Sequence, residues 1–403
     1  MRRKHILTFA TLAAPLLASM ALGQSRFATV YTFTGANPVG LAEADDVLYG
    51  ATNYTSNCGT VFELQPPSAP GGTWTLTTLY AFANADGCGP TGPPVMAPSG
   101  ALYGVAYDGG PESGGTAYEL QPPASPGGAW TESVIYSFTG LGQPGVYGGF
   151  PEGLILSPSG SLYIPTENGG ADGEGAAFEL TPPASPGDAW TATLLYSFGL
   201  GATGDTTNSL SFGPKGILYG TNEVGTTADS GTVFELSPPS APGGAWTETT
   251  LYTFQGFADG AAPNDVIPGP AGTIYGTTLG RAPGSENGIG SVFQLTPPTM
   301  PGGAWTKTIL KSFGYSYNCG PDSPLILRKG NLYGAACQSG GGVVFELQPP
   351  TTTGGAWTYT ALHTFTNGQR PSGAMVMTEN GKLYGTTYDL SGSTGGTLYE
   401  IVP

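Results

Sequence analysis

A tyrosine returns along this chain at nearly even intervals. It stands at Tyr49, Tyr103, Tyr163, Tyr219, Tyr275, Tyr333 and Tyr384, with steps of 54, 60, 56, 56, 58 and 51 residues. The same blocks return around it. One copy runs Gly216-Ile217-Leu218-Tyr219-Gly220-Thr221, then Gly231-Thr232-Val233-Phe234-Glu235-Leu236, then Trp246-Thr247 on to Leu251-Tyr252-Thr253-Phe254. A unit of this size cannot bury its apolar face alone, so neighbouring units must stack, as in propellers and arrays. Glycine (67) and proline (37) make up about a quarter of the 403 residues. Because they recur with the period, they read as turns between short strands and not as disorder.

Each unit predicts four strands. In the third copy, strand a is Gly153-Leu154-Ile155-Leu156, and a turn at Pro158-Ser159-Gly160 leads to strand b at Leu162-Tyr163. Strand c is Ala177-Phe178-Glu179-Leu180, and strand d runs from Trp190 to Phe198. In strand d, Trp190, Tyr196 and Phe198 share one parity and Leu195 has the other, so both faces are partly apolar. That suits a sheet packed between two others.

The count closes. Strand d appears with its tryptophan six times, at Trp74, Trp130, Trp190, Trp246, Trp305 and Trp357. Its ending appears a seventh time near the start, as Val30-Tyr31-Thr32-Phe33, while the last unit stops after strand c at Thr397-Leu398-Tyr399-Glu400-Ile401. The expectation is an all-β, seven-bladed β-propeller with four strands per blade. Its last blade is closed by the N-terminal strand, which removes open sheet edges. An open solenoid is the rival, but it gives no reason for the split repeat.

These blocks resemble the GloVer tandem repeats of exported bacterial proteins, over residues 27–403. The resemblance implies a propeller and export, and confers no general activity. Many relatives carry a C-terminal anchor segment. The sequence ends at Pro403 without one, which counts against surface attachment. The connection at Ser68-Ala69-Pro70-Gly71-Gly72-Thr73-Trp74 is similar to the Asp-box of sialidase propellers but lacks its aspartate, and reads as a turn with a structural tryptophan.

Residues 1–23 read as a signal peptide: Arg2, Arg3 and Lys4, an apolar run from Ile6 to Leu17, then Ala21-Leu22-Gly23. The run is shorter than the roughly 20 residues that span a bilayer. Residues 24–403 then form a single domain, expected to be secreted (periplasmic or extracellular), monomeric and not inserted in a membrane. Without the leader the formal charge moves from −16 to −19, which argues against nucleic acid as partner. Four cysteines in an exported chain favour disulfides. Proximity pairs Cys58 with Cys88 and Cys319 with Cys337, with the other two connectivities left open. No zinc spacing accompanies them.

Outside the leader the sequence has one histidine, His363, in a slot filled elsewhere by Tyr80, Tyr136, Tyr196 and Tyr252. This disfavours histidine-based metal sites and Ser-His-Asp triads. Four places after each repeat tyrosine the units stop agreeing: Asn53, Tyr107, Glu167, Glu223, Leu279, Cys337 and Tyr388, with Tyr54 one place further. Glu167 and Glu223 are equivalent acids on consecutive units, able in principle to share acid and base roles in glycoside cleavage. Solvated loop acids are the plainer reading. Tyr107-Asp108 and Tyr388-Asp389 pair an aromatic with an acid, which suits sugars or protein partners. No cofactor is expected, apart from calcium on the oxygens of Asn84, Asp86, Asp172, Asp265 or Asp322, which lack EF-hand spacing. The reading is a binding or scaffold module for a carbohydrate or protein ligand, with a carbohydrate-active hydrolase or lyase as the alternative.

Overall fold

The computed structural model describes residues 25–403 apart from 54–57, 70, 126, 140–147, 186, 200–204, 225–230, 242, 257–258, 281–288, 316–319, 322, 339–340, 353, 367 and 390–394. The expected leader lies outside the described residues. The chain is all-β, and its described helical segments are two 3-10 turns, Pro214–Gly216 and Pro270–Gly272.

Each repeat unit is an antiparallel sheet whose strands lie in chain order. The fourth unit shows the pattern with Asp205–Phe212, Leu218–Val224, Thr232–Ser237 and Thr247–Thr253. Six sheets result: three of four strands, two of five and one of eight. The eight-stranded sheet joins the last unit to the first through one parallel bridge, Gly40 to Ala374. Only glycine fits there, because a Cβ on Gly40 would lie 2.9 Å from Pro93 and 3.0 Å from the Ala374 nitrogen. As expected, the strand Arg26–Thr32 pairs antiparallel with Thr397–Val402.

Two strand expectations need correction. The inner strand of the third unit is not Gly153–Leu156. It is split into Gly148–Pro151 and Ile155–Leu156, both paired with a strand that extends over Leu162–Gly169. Phe150 adopts a positive φ of 58°, and the residues after Pro151 leave the ladder before it resumes at Ile155. The outer strand is Thr191–Ser197, with Trp190 just outside it and Leu195 skipped in the register. That bulge turns both Leu195 and Phe198 into the core, where each is buried.

The core lies between sheets. Among the described residues there are seven apolar clusters, each at the junction of two consecutive units, and one of them joins the last unit to the first. The closing phenylalanine of every outer strand meets the aromatic of the next unit's third strand. The pairs are Phe33–Phe62, Phe82–Tyr118, Phe138–Phe178, Phe198–Phe234, Phe254–Phe293, Phe313–Phe345 and Phe365–Tyr399, with centroids 4.9–5.9 Å apart. Such aromatic pairs add roughly 0.5–1.5 kcal/mol each beyond their burial.

The repeated tyrosine is explained as well. Its hydroxyl donates to the glutamate of the same unit's third strand, as in Tyr103 to Glu119 (2.7 Å), Tyr333 to Glu346 (2.8 Å) and Tyr384 to Glu400 (2.6 Å). Its ring receives a tryptophan edge from the following unit in Trp190–Tyr103, Trp357–Tyr275 and Trp74–Tyr384. The glycine after it lets the third-strand aromatic lie over the backbone: a Cβ on Gly104 would meet the Tyr118 hydroxyl at 2.1 Å.

Cys58 and Cys88 form a disulfide, as proximity suggested. Cys337 is disulfide-bonded too, but its expected partner Cys319 lies outside the described residues. Among the described residues no helix is long and apolar enough to cross a membrane.

Candidate functional site

The innermost segments of all the units surround one cavity of about 760 Å³. Val39, Thr91, Glu152, Leu210, Val266, Pro324 and Gly373 line it, one from each unit. Neighbouring units are tied sideways along this wall. Thr91 Oγ1 donates to the Pro151 carbonyl (3.0 Å) and Thr221 Oγ1 to the Asn264 carbonyl (3.2 Å). Asp265 is buried on this wall and accepts hydrogen bonds from the Ser209 hydroxyl and from the backbone of Val266 and Leu325, so one carboxyl links three units. Burial raises its pKa to about 6, against the lowering effect of those hydrogen bonds.

The positions four places after the repeat tyrosines separate into three pairs, with Cys337 in a disulfide. Tyr107 and Glu167 come together, the phenol of one unit donating to the carboxylate of the next, while the Tyr107 ring stacks on Phe150 at 4.9 Å. Glu223 and Leu279 line the main cavity. Asn53 and Tyr388 line a smaller recess of about 370 Å³ with Asn37, Pro38 and Ser372. The two spaces share Val39 and Gly373 as walls. Tyr388 is exposed (40%). Asp108 pairs by its backbone with Cys88, and Asp389 with Gln369 at the end of a strand. Tyr54 lies outside the described residues.

The structure adds an acid that sequence reading did not single out. Glu152 sits in the break of the third unit's inner strand, its backbone N–H donating to the Pro165 carbonyl (3.2 Å). Burial, with the charges of Glu167 and Glu223 behind it, raises its pKa to about 7. Glu152 is thus the group on which the charges of both Glu167 and Glu223 act. The only signal in the sequence was an acid inside an otherwise apolar inner segment. Among the described lining residues, Glu152, Glu223 and Asp265 are joined by no lysine, arginine or histidine.

The calcium candidates do not converge. Asn84 and Asp86 belong to the loop before the second unit, and Asp86 is already bonded to Tyr80 and the Ala83 amide. Asp172 is exposed, Asp265 is satisfied in the central wall, and Asp322 lies outside the described residues. Among the described residues no three histidine, cysteine or acidic side chains are grouped to hold a metal. His363 stacks on Phe27 at 3.6 Å, in its tyrosine-like slot.

No curated protein matches the chain in sequence. Solved structures share its fold at low identity. An ulvan lyase, a saccharide-bound polysaccharide lyase, superposes with a TM-score of 0.59 at 10% identity, covering 93% of this chain and 97% of that one. A puromycin-hydrolyzing peptidase of Mycobacterium tuberculosis gives 0.57 at 13%, covering 91% of this chain and 50% of the peptidase. PorZ, a surface component of the type-IX secretion system of Porphyromonas gingivalis, gives 0.55 at 13%, covering 90% of this chain and 46% of PorZ. The chain thus spans about half the length of the last two. These likenesses bear on the propeller-like fold alone. A family model described as the Gloeobacter/Verrucomicrobia repeat matches residues 150–399, and the chain belongs to that family.

Proposed function

We propose that this chain is an exported, monomeric, seven-bladed propeller that binds a saccharide in its axial cavity. The eight-stranded sheet counts as two four-stranded blades bridged at Gly40, which brings six sheets to seven blades. Residues 1–23 serve as the export signal, and residues 24–403 form the single domain. The Cys58–Cys88 disulfide fits an oxidising compartment.

The cavity carries the reading. At about 760 Å³ it falls in the range of small-ligand sites, too confined for a folded protein surface. Its acidic lining disfavours uronates and sulfated sugars and favours neutral or amine-bearing ones. A glycan array holding all these classes, followed by calorimetry on each hit, tests this. Binding of neutral or amino glycans, weakened at least tenfold by Glu223→Gln, is expected. Binding of acidic glycans alone, or of none, would overturn it, and a protein partner would then be sought.

One observation favours a second reading, a glycoside hydrolase or lyase. Glu152 holds a proton near neutrality beside two further carboxyl groups, an arrangement that can divide acid and base roles. Release of sugar fragments from a bound glycan, abolished in Glu152→Gln while binding persists, would establish it.

A further inference from the structure

The residue after Trp-Thr on the outer strand occupies an equivalent place in six units: Leu76, Glu132, Ala192, Glu248, Lys307 and Tyr359. Each lies opposite a third-strand leucine in the ladder, Glu132 opposite Leu120 and Lys307 opposite Leu295. Lys307 shows what this place can do. Its side chain is 5% exposed, and its ammonium bonds the Asp259 carboxylate and lies over the rings of Tyr252 (5.2 Å) and Phe254 (4.8 Å) of the preceding unit. Asp259 also accepts from the Tyr252 hydroxyl and the Gln255 amide, both at 2.9 Å. A cation clamps the seam between the fourth and fifth units.

The seam between the first and second units has the same parts with one exchanged. Asp86 accepts from the Tyr80 hydroxyl (2.5 Å) and the Ala83 amide (2.8 Å), as Asp259 does from Tyr252 and Gln255. Where the ammonium would stand is Glu132. Tyr80 has one proton and gives it to Asp86. Glu132, within hydrogen-bonding reach of the same phenol, can meet its oxygen only as a donor. One carboxyl oxygen of Glu132, Oε1, is sealed from solvent without a partner.

The surroundings offer no relief. Tyr118, on the neighbouring strand, is fully buried. Glu119 on that strand is engaged by Tyr103 (2.7 Å) and Gln121 (2.6 Å). The loop cannot swing away cheaply, because Thr116 Oγ1 donates to the Asp86 carbonyl (2.9 Å) and Cys88 is in a disulfide.

We infer that Glu132 is a proton-gated latch across this seam, closed when its carboxyl donates to Tyr80 beside Asp86 and loosened when it ionises. Burial, then the Asp86 charge, raises its pKa to about 7, against the lowering effect of the Tyr80 contact. The latch therefore contributes fully below the unfolded value of about 4.3 and is lost as pH rises through about 7.

Thermal unfolding of the full chain between pH 5 and 8.5, with Glu132→Gln beside the native sequence, tests it. The variant should match the native protein at pH 5 and exceed it by on the order of 3 °C at pH 8.5. Glu132→Lys should also be the more stable at pH 8.5. Native-state hydrogen exchange supplies a readout that needs no variant: segment 82–87, corrected for intrinsic rates, should open at least fivefold more readily at pH 8.5 than at pH 5. An offset between native and Glu132→Gln that is the same at every pH, or exchange in 82–87 that ignores pH, would overturn the latch.

Discussion

The wall of the axial cavity changes character as it is followed round. Through the third, fourth and fifth units it presents Glu152, Glu223 and Asp265, with Glu167 held by Tyr107 close by. Through the sixth, seventh and first it presents Pro324, Gly373, Ala374 and Val39, and opens at Asn53 and Tyr388. The order of strands in the sheets is the same on both sides. On one side Asp265 and Glu167 are bonded into the structure and the protonation of Glu152 is raised, whereas Tyr388 on the other is exposed. The lesson is that a repeat fold can divide its labour, one arc supplying charge and the opposite arc supplying surface.

The comparison makes graded demands on stability. Asp265→Ala should cost most, about 3 kcal/mol in urea unfolding, since three donors lose a buried acceptor. A cost under about 1 kcal/mol would show that the acidic arc is not structural. Glu152→Gln comes next. The Glu152 pKa is raised in the folded state, so its contribution is present at low pH and is lost as pH rises through about 7. Relative to the glutamine variant, the native protein should lose on the order of 2 kcal/mol between pH 5 and pH 8.5, read from paired denaturation curves. A flat difference would mean that the neighbouring acids do not bear on Glu152.

Tyr107→Phe removes one hydrogen bond to a carboxylate and should cost about 1.5 kcal/mol by the same assay. Tyr388→Ala should change stability by less than about 0.5 kcal/mol, because the ring is already exposed. A larger loss there would erase the distinction between the arcs.

Much of the architecture was legible because it is written seven times. The split repeat predicted the pairing of 26–32 with 397–402, and the recurring phenylalanines and tryptophans predicted cores between sheets. Strand limits were less legible. The break at Glu152 follows from a local backbone turn at Phe150, which no hydrophobic period reports. The ring of divergent positions was legible, and two of its acids, Glu167 and Glu223, lie near Glu152. Glu152 itself was missed, because its neighbours in space come from different units. Glu132 escaped for the same reason: its protonation depends on a phenol and an aspartate about fifty residues earlier in the chain.

The pairing of Arg26–Thr32 with Thr397–Val402 also orders events in time. Arg26–Thr32 finds its ladder only when Thr397–Val402 has been made, so the face of Leu41, Leu48 and Phe62 that meets Tyr384 and Leu398 waits uncovered until then. Contacts this distant in sequence form slowly. If the chain is threaded through a translocon, residues near the amino terminus emerge early and must stay unpaired until the carboxyl end follows. Any chaperone that serves this protein would therefore be needed most at its beginning.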